Sequence, residues 1–203
     1  MDSPLTRRLD KILPKITDLD FLNGEGIGNE IPCYIFDYDE EDELEVRSHI
    51  SWMMKRFSTN HADINVLHID LLQVVTDYLK EQNLFQQVIE MQEKHGDASS
   101  IEALKGPLAT DKIKNYISEI YSPCEKDLLL MSRVGSAWPM LQAYSLLNCL
   151  HGIIEQTPLV MFYPGSFDGV TLKLFEKHNS SSTDLGTRPY YRAFALIPRE
   201  NYI

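Results

Sequence analysis

Apolar residues along this chain change their period several times, and the changes divide it into elements. Leu5, Leu9, Ile12, Leu13 and Ile16 recur at helical spacing, and Pro14 obliges that helix to kink or end. After Asn23-Gly-Glu-Gly-Ile-Gly-Asn29, the run Ile31 to Tyr38 is rich in β-formers and short enough for a buried strand. From Glu40, acidic residues crowd a first turn, where the helix dipole favours them. Val46, Ile50, Met53, Met54 and Phe57 then mark one face of an amphipathic helix. Asn65 to Ile69 predicts a second strand, and Asp70 is placed to cap a helix carrying Leu71, Val75, Tyr78 and Leu79 on one side.

Residues 83 to 121 read as a helical insertion interrupted at His95-Gly-Asp and Gly106-Pro, its last stripe being Ile113, Tyr116, Ile117, Ile120 and Tyr121. Asp127 to Ser132 predicts a third strand, Pro139 to Ile154 a helix that proline opens, and Pro158 to Tyr163 a fourth strand. Past Pro164-Gly165 the period becomes two, with Val170, Leu172 and Leu174 alternating against polar neighbours. A return through Tyr190 to Ile197 then predicts a C-terminal β-hairpin. The polar stretch 177 to 188 is the expected flexible loop. Alternating strands and helices imply parallel strands with right-handed crossovers. The fold class expected is α/β: one domain over 1–203, with a mainly parallel sheet of at least four strands flanked by helices, plus that hairpin. No internal repeat interrupts it.

Composition narrows the function classes. A hydrophobic fraction of 43% over 203 residues supports one sizeable core. A formal net charge of -11 repels nucleic-acid backbones and anionic membranes, and the lysines and arginines form no run, so direct nucleic-acid binding is not expected. Cys33, Cys124 and Cys149 are odd in number, widely spaced and flanked by apolar residues, which suits reduced core thiols and a reducing compartment. Charges run through the apolar positions of the first sixteen residues, unlike a signal peptide, and no stretch is long enough to span a bilayer, so a cytoplasmic protein is expected.

Candidate chemistry is sparse. Gly24, Gly26 and Gly28 precede a strand, whereas phosphate-binding loops place glycines between a strand and a helix, so these read as a tight connection into the sheet. The six histidines show no helical pairing for zinc, and Val134-Gly-Ser-Ala-Trp138 departs from the nucleophile elbow on both sides of Ser136. Polar residues do recur after the strands: Asp37 and Asp39, then Asp70, then Ser132 and Arg133, then Tyr163 to Asp168. With parallel strands these share one rim, where open α/β sheets hold ligands. Asp37, Asp70 and Asp168 together could ligate magnesium, as an atypical nucleotide or phosphoryl-transfer enzyme would require. The plainer reading makes Asp70 a helix cap and Asp168-Gly169 a turn. Trp52, Tyr38, Trp138 and Tyr191 exceed what one small domain buries easily, so a homodimer is expected.

Several motifs occur in an order that resembles the BrxB family of bacteriophage-exclusion (BREX) defence systems. They are Gly28-Asn-Glu-Ile31, Tyr34-Ile-Phe-Asp-Tyr38 with Glu43-Leu-Glu-Val-Arg47, and Leu104-Lys-Gly-Pro107. Val134-Gly-Ser-Ala-Trp-Pro139, Pro158-Leu-Val-Met-Phe-Tyr-Pro-Gly165, Phe167-Asp-Gly169 and Tyr190-Tyr-Arg-Ala-Phe194 follow. The resemblance implies a defence island that also encodes an adenine methyltransferase, an AAA-type ATPase and PglZ, a protein of the alkaline-phosphatase superfamily. It carries no catalytic motif and no cofactor, which leaves a non-enzymatic adaptor role, with PglZ the foremost partner. On the rim, Arg133, Ser136, Trp138, Tyr163, Phe167 and Asp168 are the expected partner-binding patch, because Arg and aromatic residues dominate contact energies. The competing reading packs Trp138 as a lid on the core and pairs Arg133 with Asp37 or Asp168.

Overall fold

The computed structural model describes residues 3–24, 32–154, 156–175 and 193–199. The first strand is β1, Cys33–Tyr38, an interior strand every residue of which is buried. The other parallel strands are β2, Val66–Asp70, β3, Leu128–Ser132, and β4, Leu159–Phe167. Strand order is β2-β3-β4-β1-β6, where β6 is Ala193–Ala195 and lies parallel to β1. All of these pairings along the main path are parallel, so the carboxyl ends share one rim as expected.

Side chains alternate across the sheet and bury two cores. Cys33, Ile35, Leu129, Met131, Leu159 and Met161 meet the helices on one face. Those helices are α5, Leu71–Glu81, α7, Thr110–Tyr121, α8, Val134–Ala137, and α9, Ala143–Ile154. Tyr34, Phe36, Leu128, Leu130, Val160 and Phe162 meet the opposite layer. That layer is built from α1, Pro4–Leu9, α2, Ile12–Ile16, α3, Leu19–Leu22, and α4, Glu43–Asn60. The face of α4 predicted by spacing is the buried one, through Val46, Ile50, Met53 and Phe57. Near-continuous apolar strands are what a sheet covered on both faces demands.

Local departures from the sequence reading have physical causes. The N-terminal helix breaks at Asp10-Lys11, so Pro14 falls in the first turn of α2, where its missing N–H has no intrahelical role. Pro139 does not open a helix: Trp138 is extended, the Trp138-Pro139 bond is cis, and α9 begins only at Ala143. The insertion forms α6, Phe85–Leu104, interrupted at Gly96 with φ 79, and α7. Cys33 is core and burial pushes its thiol up to about 12, but Cys124 is exposed and Cys149 only half-buried, so the trio is not uniformly interior. The predicted loop 177–188 lies outside the described residues.

The antiparallel strand pair near the C-terminus is formed, but the Leu172–Leu174 segment pairs with the end of β4 and not with the returning segment. β4 runs on past the sheet and its end, Gly165 to Phe167, pairs with β5, Leu172–Leu174. The returning segment crosses to the other side and becomes β6 beside β1. Gly165 makes the β4–β5 turn-back feasible: at φ 154, a Cβ placed there would lie 2.0 Å from the carbonyl oxygen of Lys173. Gly165→Ala is therefore expected to destabilise the protein by about 3 kcal/mol, because backbone cannot yield as a side chain can. Gly169→Ala, at φ 89 with open space around it, should cost about 1 kcal/mol. Urea melts of both variants followed by circular dichroism check the order, and equal losses would refute the close-contact argument.

Candidate interaction surface at the strand-end rim

The rim divides into a closed half and an open half. The closed half centres on Asp37 in β1, whose side chain is 6% exposed. Arg8 donates from Nη2 to Asp37 Oδ1 at 2.7 Å and from Nη1 to the Asp37 carbonyl at 2.8 Å. Arg8 also donates to the Ile197 carbonyl from Nε and Nη2, and its guanidinium lies 4.5 Å from the Phe36 ring centre. Arg199 takes the other carboxylate oxygen, Nε to Oδ2 at 2.9 Å, and reaches Asp39 at 2.6 Å and the Gly165 carbonyl at 2.8 Å. A cleft of about 430 Å³ opens beside this cluster, lined by Arg8, Tyr38, Asp39, Asp42 and Arg199 among others.

None of the three aspartates offered to magnesium is free to bind it. Both oxygens of Asp37 accept from guanidinium groups. Asp70 caps α5 by accepting from the Gln73 N–H at 3.0 Å and faces Arg133 with its other oxygen. Asp168 accepts from the N–H groups of Val170 and Thr171, and these two bonds hold its carboxyl below the usual range. β2 and β1 are separated by three strand spacings, roughly 14 Å, so Asp70 and Asp37 cannot share an ion. Among the described residues no group of three or more His, Cys, Asp or Glu is placed to hold a metal. The cap and turn roles account for Asp70 and Asp168, and the trio is not a site.

The open half follows β3 and β4. Arg133 takes a left-handed backbone, φ 58, at the start of α8, and pairs with Asp70 at 3.4 Å, not with Asp37 or Asp168. Ser136 is exposed on α8 and Trp138 is 44% exposed at its end. Gly135 lets Pro164 and Phe175 close onto α8, since a Cβ there would lie 2.7 Å from Pro164 Cγ and 2.9 Å from the Phe175 ring. Phe175 then meets Trp138 edge-on, with centroids 6.0 Å apart. Trp138 is thus braced without being covered, and is not a lid on the core.

Two members of the expected patch are withdrawn from it. Tyr163 is 4% and Phe167 5% exposed, and both sit in the core beneath α8 and α9. Burial pushes the Tyr163 hydroxyl upward, as an apolar site must. Both belong to the alternate positions of β4 that face the core with Leu159 and Met161, and the strand runs on past the sheet without changing that alternation. Of the aromatics held to be in excess, Tyr38 is buried and donates to Glu43 at 2.5 Å. Trp52 is 42% exposed on α4, with Arg56 over its ring, and Tyr191 lies outside the described residues.

Three features escaped the sequence reading. Arg8 lies between Leu5 and Leu9 on the inward stripe of α1, and a charge in that position was a legible sign of a buried partner. Arg199 follows the last short strand, where no pattern marks it. His68 and Ser132 face one another across β2 and β3, 2.8 Å apart, and burial lowers the His68 pKa, which keeps the ring neutral at pH 7. Ser132 is 3% exposed, so this pair satisfies a buried hydroxyl and is no exposed nucleophile.

Comparison with known proteins gives a consistent picture. The family model described as "BREX protein BrxB" matches residues 67–196. A "BREX protein BrxB" of Bacillus cereus (strain H3081.97) is 37% identical over 199 residues, covering 96% of this chain and 98% of that protein. A "BREX protein BrxB" of Escherichia coli O9:H4 (strain HS) is 35% identical over 200 residues, covering 98% and 94%. No solved structure gives a significant match.

Removing the carboxylate of Asp37 strands two guanidinium groups in a buried site. Asp37→Ala should cost about 3–5 kcal/mol, roughly 6–20 °C in melting temperature for a chain of this size. Asp70→Ala should cost about 1 kcal/mol as the loss of a cap. Thermal melts separate the two, and equal small losses would show that the Arg8–Asp37–Arg199 cluster is dispensable. Calorimetric titration of the wild type with magnesium chloride should give no saturable binding. A site lost in Asp37→Asn would restore the metal reading.

Proposed function

The chain belongs to the BrxB family of BREX proteins, and on that premise we propose that it is a non-enzymatic adaptor that docks another BREX subunit on the open half of its strand-end rim. Membership makes it a component of a phage-defence system. The adaptor role is supported by one observation above others: the rim presents a braced, 44% exposed tryptophan where an α/β enzyme would present free acids and bases. Trp and Arg are the side chains that most often anchor protein contacts, and Arg133, Ser136 and Trp138 lie on and beside the single turn of α8. The ring of Trp138 is already held by Phe175, so little side-chain entropy is lost on docking.

The partner proposed is the PglZ-like protein of the same system, with the methyltransferase and AAA-type ATPase as further candidates. No helix among the described residues is long and apolar enough to cross a membrane. Capture of PglZ by the immobilised chain is the test. Trp138→Ala should weaken capture at least tenfold, about 1.4 kcal/mol. Trp52→Ala, which removes a comparably exposed ring from the outer face of α4, should leave it unchanged. The reverse result would move the interface to α4. Loss in neither variant would move it to α6 and α7.

A further inference from the structure

α1 supplies one side of the cleft beside Asp37, through Ser3, Pro4, Leu5 and Arg8. The helix has six residues, too few to hold its own shape, and the chain breaks at Asp10-Lys11 before α2. Its place therefore depends on side-chain contacts. Leu5 and Leu9 are buried in the core, Arg8 binds Asp37, and Thr6 donates to Glu45 of α4 at 3.1 Å. His49, one turn beyond Glu45 on α4, completes the set.

His49 fits this place in one charge state. The Leu9 carbonyl at the end of α1 faces the ring, and the Trp52 ring lies 5.1 Å away between centres. Nε2 is buried without a hydrogen-bond partner among the described residues. With the ring neutral, Nε2 can be the nitrogen that carries no proton. A second proton would make it a buried donor without an acceptor and put a full charge in an apolar site. The charged groups acting on the ring are Asp10, just past α1, and Glu45, and both are exposed. Burial outweighs their pull and lowers the pKa of His49, so the ring is neutral at pH 7. Because Nε2 has no open surface, a proton reaches it only when α1 has moved. Protonation and displacement of α1 are thus one event.

We propose that α1 is a movable wall of the cleft, latched by a neutral His49 and swung outward about Asp10-Lys11 when that ring is protonated. Opening lets the charged ring turn toward Asp10 and Glu45. It also withdraws Arg8 from Asp37, which makes the cleft wider and more acidic. The closed form resists protonation, whereas the open form titrates at the ordinary value of 6.5, so the latch holds fully above that pH and weakens below it. One pH unit lower, the balance has moved about tenfold toward the open form. Leu5 and Leu9 remain as apolar anchors, so the proton shifts the balance without emptying the closed state.

Hydrogen–deuterium exchange of the full chain, corrected for the intrinsic effect of pH on exchange, tests the latch. The reporters are the amides of Arg7 and Asp10, which donate to the carbonyls of Ser3 and Thr6 within α1. Between about pH 7.5 and about pH 5.5 their protection should fall about tenfold, while β3 and β4 keep theirs. His49→Gln and His49→Phe, neither of which titrates, should each abolish that response. His68→Gln, which removes the other histidine held neutral by burial, should retain it. Protection in α1 that does not change with pH in the wild type would overturn the latch. So would a response that persists in the His49 variants, or an equal loss in β3 and β4, which would mean general unfolding. An NMR titration of the wild-type ring reads the same point without substitution: a His49 pKa at or above 6.5 overturns the proposal.

Discussion

One buried carboxylate organises this molecule. Asp37 sits near the end of the interior strand β1 with 6% of its side chain exposed, where an unneutralised charge would be far too costly to keep. Arg8 and Arg199 neutralise it from opposite ends of the chain, 29 and 162 residues away in sequence. Each also binds backbone carbonyls: Arg8 those of Asp37 and Ile197, Arg199 that of Gly165. The cluster therefore ties α1, the end of β1, the bend in β4 and the segment after β6 into one corner. β6 is three residues long, too short to be held by its ladder alone, and this corner explains why it stays on the sheet.

The same corner decides what the rim is free to do. Crossovers from β1 go to the face carrying α4, whereas those from β2 and β3 go to the face carrying α5 to α9. The change of side falls between β1 and β4, where open α/β sheets usually form their ligand crevice. Here Arg199 fills that place, bound to Asp37, Asp39 and Gly165. Where the fold elsewhere houses small ligands, Arg199 takes up one oxygen each of Asp37 and Asp39 and leaves a cleft of about 430 Å³ beside it. The exposed Ser136 and Trp138 lie to one side of it, on and after α8.

The elements that were legible in the sequence are those whose pattern reflects burial alone. β1, β3 and β4 appeared as short apolar runs because both faces of each are covered, and α4 appeared through Val46, Ile50, Met53 and Phe57. Asp70 and Asp168 were legible because capping and turn formation are local chemistry, acting within three residues. Where the sequence misled, the cause was long-range. Tyr163 and Phe167 looked like rim residues because nothing nearby in sequence shows that β4 continues for nine residues and returns through β5. Pairing of β6 with β1 across some 160 residues leaves no trace in local period. Arg8 was the one readable omission, a charge on an inward stripe.

Arg133 and Arg8 show how the same side chain serves opposite ends. Arg8 is given a carboxylate, two carbonyls and an aromatic face, and its backbone is ordinary helix. Arg133 is given one long contact, an orphaned Nε and a left-handed backbone. A chain under selection for stability alone would replace the second by Asn or Gly, because that change removes strain without opening the core. The rim is thus tied tightly at its β1 end, through two guanidinium groups on one carboxylate, and loosely at its β3 end, through one 3.4 Å ion pair.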